Sequence, residues 1–311
     1  MGKYWLLHEA VVAELPDIRL HEAPLASDGE LALVHTPTYV SAVIDGLLSP
    51  AQQREIGFPW SERMVERSRR SVGATIAAAR TALHEGVSAN LAGGTHHAYP
   101  DKGGGYCVFN DVAVAARLMQ AEWHRRHREL LRVAVIDLDV HQGNGTAAIF
   151  RDDPTVFTLS MHGAKNFPFR KEASDLDVDL PDGCADSEYL AALELALDQL
   201  WRHHGAALPG LIFYLAGADP HEGDRLGRLK LSAAGLAERD RRVLDAARER
   251  GIPVALSMAG GYGRIIEDTV AIQLQTMRAA LHSWRQWNNT LHEPPGRPKA
   301  NSGVQSTEDS H

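Results

Sequence analysis

Asp137, Asp139 and His141 stand at alternate positions in the stretch VAVIDLDVHQGNG, Val133 to Gly145. Alternate residues of a strand point to one face, and Val133 to Ile136 read as a buried strand. The three polar groups should therefore emerge together at or just past its carboxyl end. Two carboxylates and an imidazole are costly to bury without a cation or a hydrogen-bond network. Asp139, His141 and the later Asp219 would offer oxygen, nitrogen and oxygen to a metal, leaving a fourth tetrahedral position open for water, as in catalytic rather than structural zinc sites. A divalent ion there lowers the pKa of its water from 15.7 to roughly 7. The tandem His96 and His97, after Gly93 and Gly94, could serve as base and acid around such a water. A hydrogen-bonded structural network is the lesser alternative for the strand-end motif alone, and Asp219 and the tandem histidines weigh against it. Another pair, His203 and His204, reads as an exposed helix end.

Those residues need elements to position them. The runs RVAVIDLDV, TVFTLSMH, GLIFYLAGAD and IPVALSMAGG read as buried strands, with ANLAGG a weaker one. Between them apolar residues recur at helical spacing: Val72, Ile76, Ala79 and Leu83; Val112, Ala116, Met119 and Trp123; Tyr189, Leu193, Ala196 and Leu200; Leu236, Val243 and Ala247. Short apolar strands alternating with helices predict an α/β fold in three layers, a mostly parallel sheet with helices on both faces. In such sheets ligands collect beyond the carboxyl ends of the strands. The polar residues obey that rule, since ANLAGG runs into Thr95, His96 and His97, AVIDLDV into His141, IFYLAGA into Asp219, and ALSMAGG into Tyr262.

The 311-residue chain is long enough for one sizeable core, and a formal charge of -8 makes affinity for phosphate backbones unexpected, so no direct nucleic-acid partner is predicted. Basic peptides and cationic small molecules remain open as substrates. Two cysteines, Cys107 and Cys184, are too few for a disulfide scaffold, and no apolar run approaches the roughly 18 residues of a membrane span. The opening MGKYWLLHEAVVAEL reads as an amphipathic helix carrying Glu9 and Glu14, without a cleavage site, and the expected compartment is the cytoplasm. From Asn288 onward apolar periodicity gives way to Pro, Gly and Ser, predicting one domain over residues 1–287 and a disordered tail over 288–311.

Four ordered blocks carry a family resemblance: GGTHHAYPDKGGGYCVFND (Gly93 to Asp111), IDLDVHQGNG (Ile136 to Gly145), AGADPHEGDRLG (Ala216 to Gly227) and AGGYG (Ala259 to Gly263). Together they resemble the signature of the histone deacetylase superfamily, and the HQGNG and EGDRLG wording is most like its class IV branch and bacterial relatives. The resemblance implies an arginase-like fold and zinc-dependent hydrolysis of an N-acyl amide, with ferrous iron as a second candidate ion. By motif position Asp139, His141 and Asp219 match the metal ligands, and His97 the general base that later serves as acid. His96 matches its electrostatic partner, oriented by Asp137, and Tyr262 the hydroxyl on the substrate carbonyl. Gly104, Gly105, Tyr106 and Phe167 resemble the walls of an acyl-lysine channel with Leu226 at its lip. Ordinary core packing is the plain alternative for Phe167. Asn144 stands where several branches have a second Asp, so His97 should be less basic than beside a carboxylate. Ser160, Met161 and His162 fall where the family binds a structural potassium ion, mostly through backbone carbonyls.

The expected substrate is an acylated lysine of a protein or peptide, or a small acylated amine such as an acetylpolyamine, and the class IV likeness implies tolerance of long acyl chains. A non-catalytic binding protein of the same fold is a rival that intact candidates for every role argue against. The binuclear-manganese ureohydrolases share the fold but cluster Asp-x-His-x-Asp, whereas here Asp-x-Asp-x-His is followed by Gln142. Finally, relatives place a strand and a short loop before the helix that MGKYWLLHE begins, so the chain is expected to lack the family's first strand.

Overall fold

The structure is a computed structural model that describes residues 2–292. Six strands form one wholly parallel sheet: β1 (Val87–Asn90), β2 (Val133–Asp137), β3 (Val156–Gly163), β4 (Leu176–Leu180), β5 (Leu211–Leu215) and β6 (Val254–Ser257), in the order β1-β6-β5-β2-β3-β4. The helices are α1 (Gly2–Glu14), α2 (Asp28–Leu31), α3 (Pro37–Ile44), α4 (Pro50–Ile56), α5 (Glu62–Glu85), α6 (Asp111–His127), α7 (Asn144–Phe150), α8 (Asp186–His204), α9 (Ala233–Glu249) and α10 (Ile266–His292). The α/β reading holds, and the sheet is parallel throughout.

The period-2 alternation of the strands produces the two cores. Ala134, Ile136, Ile212 and Tyr214 pack with Leu7 and Val11 of α1, Leu193 of α8, Val243 of α9 and Met277 of α10. Val133, Val135, Leu211 and Phe213 face the opposite way, against Val72 and Ile76 of α5 and Val112 and Met119 of α6. Each Val, Leu, Ile, Phe or Met among them, fully buried, contributes roughly 1.5–3 kcal/mol. Helix starts are marked by side-chain caps: Ser61 accepts from Met64 N, Asn110 from Ala113 N, and Ser232 from Gly235 N. Helix α5 stops at Gly86, where φ is 87° and a Cβ would sit 2.4 Å from the Trp287 ring.

Successive strands β2, β3 and β4 step one way across the sheet, while β5 and β6 lie on the other side of β2. The direction reverses between β2 and β5, and a doubly wound sheet opens a crevice at such a point. Helix α10 continues through Asn288 to His292, with Asn288 Nδ2 donating to Trp284 O at 3.0 Å, so it runs past the domain limit expected at residue 287. Backbone hydrogen bonding does not need the apolar periodicity that fades there. The rest of the expected tail lies outside the described residues.

Candidate active site

The loops after β2 and β5 meet in the crevice. Asp139 and Asp219 are buried and His141 nearly so, with His141 Nδ1 2.9 Å from Asp139 Oδ1 and 3.4 Å from Asp219 Oδ2. One ligand atom from each lies within 4.8 Å of the others. Backbone donors hold the carboxylates: Gly260 N reaches Asp139 Oδ2 at 2.8 Å, and Val140 N reaches Asp219 Oδ1 at 2.9 Å. Gly260 has no substitute, because a Cβ there would stand 2.0 Å from Asp219 Oδ2 and 2.5 Å from Asp139 Oδ2.

The tandem histidines arrive from the loop after β1. His96 Nδ1 is 2.6 Å from Asp137 Oδ2, and its Nε2 is 3.2 Å from His97 Nε2. His97 Nδ1 is 2.6 Å from Asn144 Oδ1, whose amide faces that way because Asn144 Nδ2 donates to the Tyr99 hydroxyl at 3.0 Å. The network assigns the protons. With His97 Nδ1–H donated to Asn144, its Nε2 is the acceptor, so His96 donates from both nitrogens and carries the charge. Burial opposes that charge, but Asp137 and then Asp139 outweigh it and hold the His96 pKa up to about 9. Burial and the neighbouring His96 and His141 push His97 well below the usual imidazole value. Two adjacent, identical residues thus stand on opposite sides of neutrality.

Tyr262 reaches the crevice from the loop after β6, its backbone N–H donating to Asp224 Oδ2 at 2.6 Å. Burial raises its pKa, so the hydroxyl stays protonated at neutral pH. A cavity of about 480 Å³ is lined by His96, His97, Asp139, His141, Asp219 and Tyr262, with Gly105, Tyr106, Phe167 and Leu226 above them. The Phe167 ring stands at 85° to His97, centroids 4.9 Å apart. Gly105 has φ 51° and no room for a Cβ, which would come within 2.5 Å of His97 Cδ2. Gly104 lies one step behind the lining, in a tight turn closed by bonds to and from Cys107 that projects Gly105 and Tyr106 forward. Asp137 and Asn144 sit behind the histidines and touch the cleft through them.

A histone deacetylase domain profile matches residues 3–277. This chain belongs to the histone deacetylase family. Its relatives include an uncharacterized protein of Picosynechococcus sp., 44% identical over 282 residues that cover 90% of this chain and 91% of that one. Histone deacetylase 2 of Arabidopsis thaliana is 33% identical over 259 residues, 79% of this chain and 65% of that one. A crystal structure of an HDAC homolog complexed with SAHA superposes with a TM-score of 0.70 at 26% identity, over 86% of this chain and 76% of that one. The fold is accordingly the arginase-like α/β fold of deacetylases, and the protein is a hydrolase of the deacetylase kind with deacylase activity.

Histone deacetylases are generally metal-dependent, and Asp139, His141 and Asp219 fit a cation on two counts. Asp219 Oδ2 is a buried oxygen without a hydrogen-bond partner, which a cation would satisfy. Burial opposes a charge on His141, but the two carboxylates hold its pKa up to about 10, and a bound cation would displace that proton. At the end of β3, Ser160 Oγ is 2.9 Å from His162 Nδ1, and His162 Nε2 is 3.0 Å from Asp179 Oδ1. Among the described residues no helix is long and apolar enough to cross a membrane.

Several site residues escape sequence reasoning. Lys3 is buried, donating to Gly261 O at 3.1 Å and lying 5.2 Å from the Tyr262 ring centroid. Its spacing from Leu7 and Val11 was the available signal, since a lysine on the buried stripe of α1 needs acceptors. Asp224 binds the N–H groups of Leu226, Gly227 and Tyr262, tying the lip to the Tyr262 loop. Phe169, 89% exposed, also lines the cleft. The pair His203 and His204 lies at the end of α8 beside Phe157, with His203 exposed and His204 half-buried.

Proposed function

We propose that this protein hydrolyses the amide of an ε-acylated lysine side chain, with one zinc ion held by Asp139, His141 and Asp219; ferrous iron is the other ion the donor set suits. The observation that carries the reading is the orphan oxygen of Asp219 in the cleft that a neutral histidine, paired with a charged one, also lines. Bound zinc would polarise the amide carbonyl and bring the pKa of a water toward roughly 7.

His97 enters the reaction neutral. Its Nδ1–H is committed to Asn144, so the Nε2 lone pair takes the proton of the attacking water. His96, charged and paired with Asp137, places positive potential beside the oxyanion and keeps His97 from protonating early. The proton gained at His97 Nε2 then passes to the lysine nitrogen as the C–N bond breaks. The Tyr262 hydroxyl donates to the carbonyl oxygen as charge grows there, an interaction commonly worth 10² to 10³ in rate. Gly105, Tyr106, Phe167 and Leu226 admit a narrow extended side chain.

The acyl group has room. A second cavity of about 500 Å³, lined in part by Phe58, Val108, Phe109 and Ile266, shares Tyr4, Gly93, Thr95, Tyr106 and Tyr262 with the first. Its lining supports hydrolysis of acyl chains longer than acetyl. A structural potassium ion at the end of β3 belongs to the same proposal. The test is turnover of matched fluorogenic lysine peptides carrying acetyl, octanoyl and myristoyl groups by the zinc-loaded protein. We expect turnover, with kcat/KM higher for the longer chains. A monotonic fall with chain length would reject the long-chain assignment, and no turnover of any of the three would reject the substrate class.

A further inference from the structure

Arg239, in the middle of α9, is wholly buried, and its guanidinium reaches the segments just past the strand ends that carry the candidate metal ligands. Nη1 donates to Gly217 O at 2.7 Å and approaches Leu138 O at 3.4 Å. Leu138 immediately precedes Asp139, and Gly217 stands two residues before Asp219. On its other side Nε donates to Asp240 Oδ1 at 2.9 Å, while Nη2 is ion-paired with the same oxygen at 2.8 Å without a hydrogen-bond partner. Asp240 is itself fixed by the hydroxyls of Tyr214 at 2.5 Å and Thr276 at 2.6 Å.

A buried charge is costly unless paired and fully hydrogen-bonded, and an apolar side chain would fill this stretch of α9 without that cost. The charge is directed instead at two carbonyls just past the ends of the adjacent strands β2 and β5. At this point the two ligand loops touch: a Cβ on Gly217 would lie 2.9 Å from Asp139 Cα and 2.8 Å from Asp219 Oδ1. A small shear between the ends of β2 and β5 therefore moves Asp139 relative to Asp219, with no slack to absorb it. We propose that Arg239 is a positioning residue for the cation site, a clamp anchored on Asp240 that fixes the separation of the two ligand-bearing strand ends. Its planar fork of donors serves both carbonyls and Asp240 at once, whereas a lysine ammonium is a single point that cannot span them. The inference rests on the metal-site reading above and concerns geometry, so metal affinity, rather than turnover, is its measure.

The experiment is zinc affinity by chelator competition, with melting of the zinc-free protein recorded alongside, for wild type, Arg239→Lys, Asp240→Asn and Leu244→Ala. Leu244 is a buried core residue of the same helix. Partners behind metal ligands are typically worth about 10- to 100-fold in affinity. Arg239→Lys should weaken zinc within that range, and Asp240→Asn should do so by less, while Leu244→Ala lowers the melting temperature without changing zinc affinity. Wild-type affinity in Arg239→Lys would overturn the proposal, as would wild-type affinity in Asp240→Asn should the lysine variant fail to fold. Equal weakening by Leu244→Ala and Asp240→Asn would overturn it too, by showing that any loosening of α9 suffices. If the wild-type protein takes up no zinc, the reading of the site fails first.

Discussion

The floor of the cleft and its rim are built from different materials. On the floor His96, His97, Asp139 and Asp219 are at most 5% exposed, each tied to a second group that is buried or, for the Gly260 N–H on Asp139, half-buried. At the rim Tyr106, Phe167, Leu226 and Phe169 are 40–89% exposed and project from loops. The floor inherits its precision from parallel strand ends, which cannot move without breaking the ladder. The rim inherits only the positions of its anchors, such as the bonds from Gly105 N to Glu55 O and from Tyr106 N to Ile56 O. The difference teaches where chemistry and selectivity are kept apart: floor substitutions should act on kcat, and rim substitutions on KM.

The sharpest division comes from the one floor group that reaches toward the rim. Tyr262→Phe should keep fold and metal content but lower kcat by about 10² to 10³, since it removes a single hydroxyl aimed at the developing oxyanion. Retention of more than about a tenth of kcat would break the assignment, given that such donors are worth 10² or more.

A second difference should appear in stability. His35 backs the floor: its Nδ1 is 3.0 Å from Tyr99 O and its Nε2 accepts Asn110 N at 2.9 Å, so the ring fits only when neutral. Burial, offset in part by backbone carbonyls, lowers its pKa to about 4 from the usual 6.5. The unfolded chain therefore binds a proton that the folded one refuses, and the stabilisation, complete above pH 6.5, is lost as pH falls toward 4. The loss should amount to about 3 kcal/mol. His35→Gln keeps a donor and an acceptor, so denaturant titrations at pH 7 and pH 4.5 should show a smaller drop for the variant. Identical drops would remove His35 from the account. At the rim, Phe169→Ala should change KM by less than about tenfold and leave kcat alone, the range expected of an exposed contact rather than an oxyanion donor; a fall in kcat alone would contradict the division.

Much of the floor was legible in the sequence because one rule governs it. Period-2 strands that run out into Asp137, Asp139 and His141, and later into Asp219, announce their face and their end before any contact is known. Strand β4, LDVDL, alternates but is not legible as a strand, because as an edge strand it is half-exposed and lacks the apolar run that marks the others. Arg239, Lys3 and Asp224 were not legible as site residues, since each acts on backbone atoms brought near only by the finished fold: Arg239 on Gly217 O, Lys3 on Gly261 O, and Asp224 on Tyr262 N. No local pattern encodes such a partner. Gly104 shows the converse, a motif residue whose neighbours line the channel while it forms the turn behind them.

The chemistry assigned to the floor rests on the proposal that Asp139, His141 and Asp219 together hold one catalytic zinc ion. Zinc-free protein, titrated with zinc while turnover of an acyl-lysine peptide is followed, tests it most directly, with Asp219→Ala run in parallel. Activity should rise linearly to a break at one equivalent in the wild type, with neither tight binding nor activity in the variant. Full activity of the zinc-free protein, or stoichiometric zinc bound by Asp219→Ala, would contradict it.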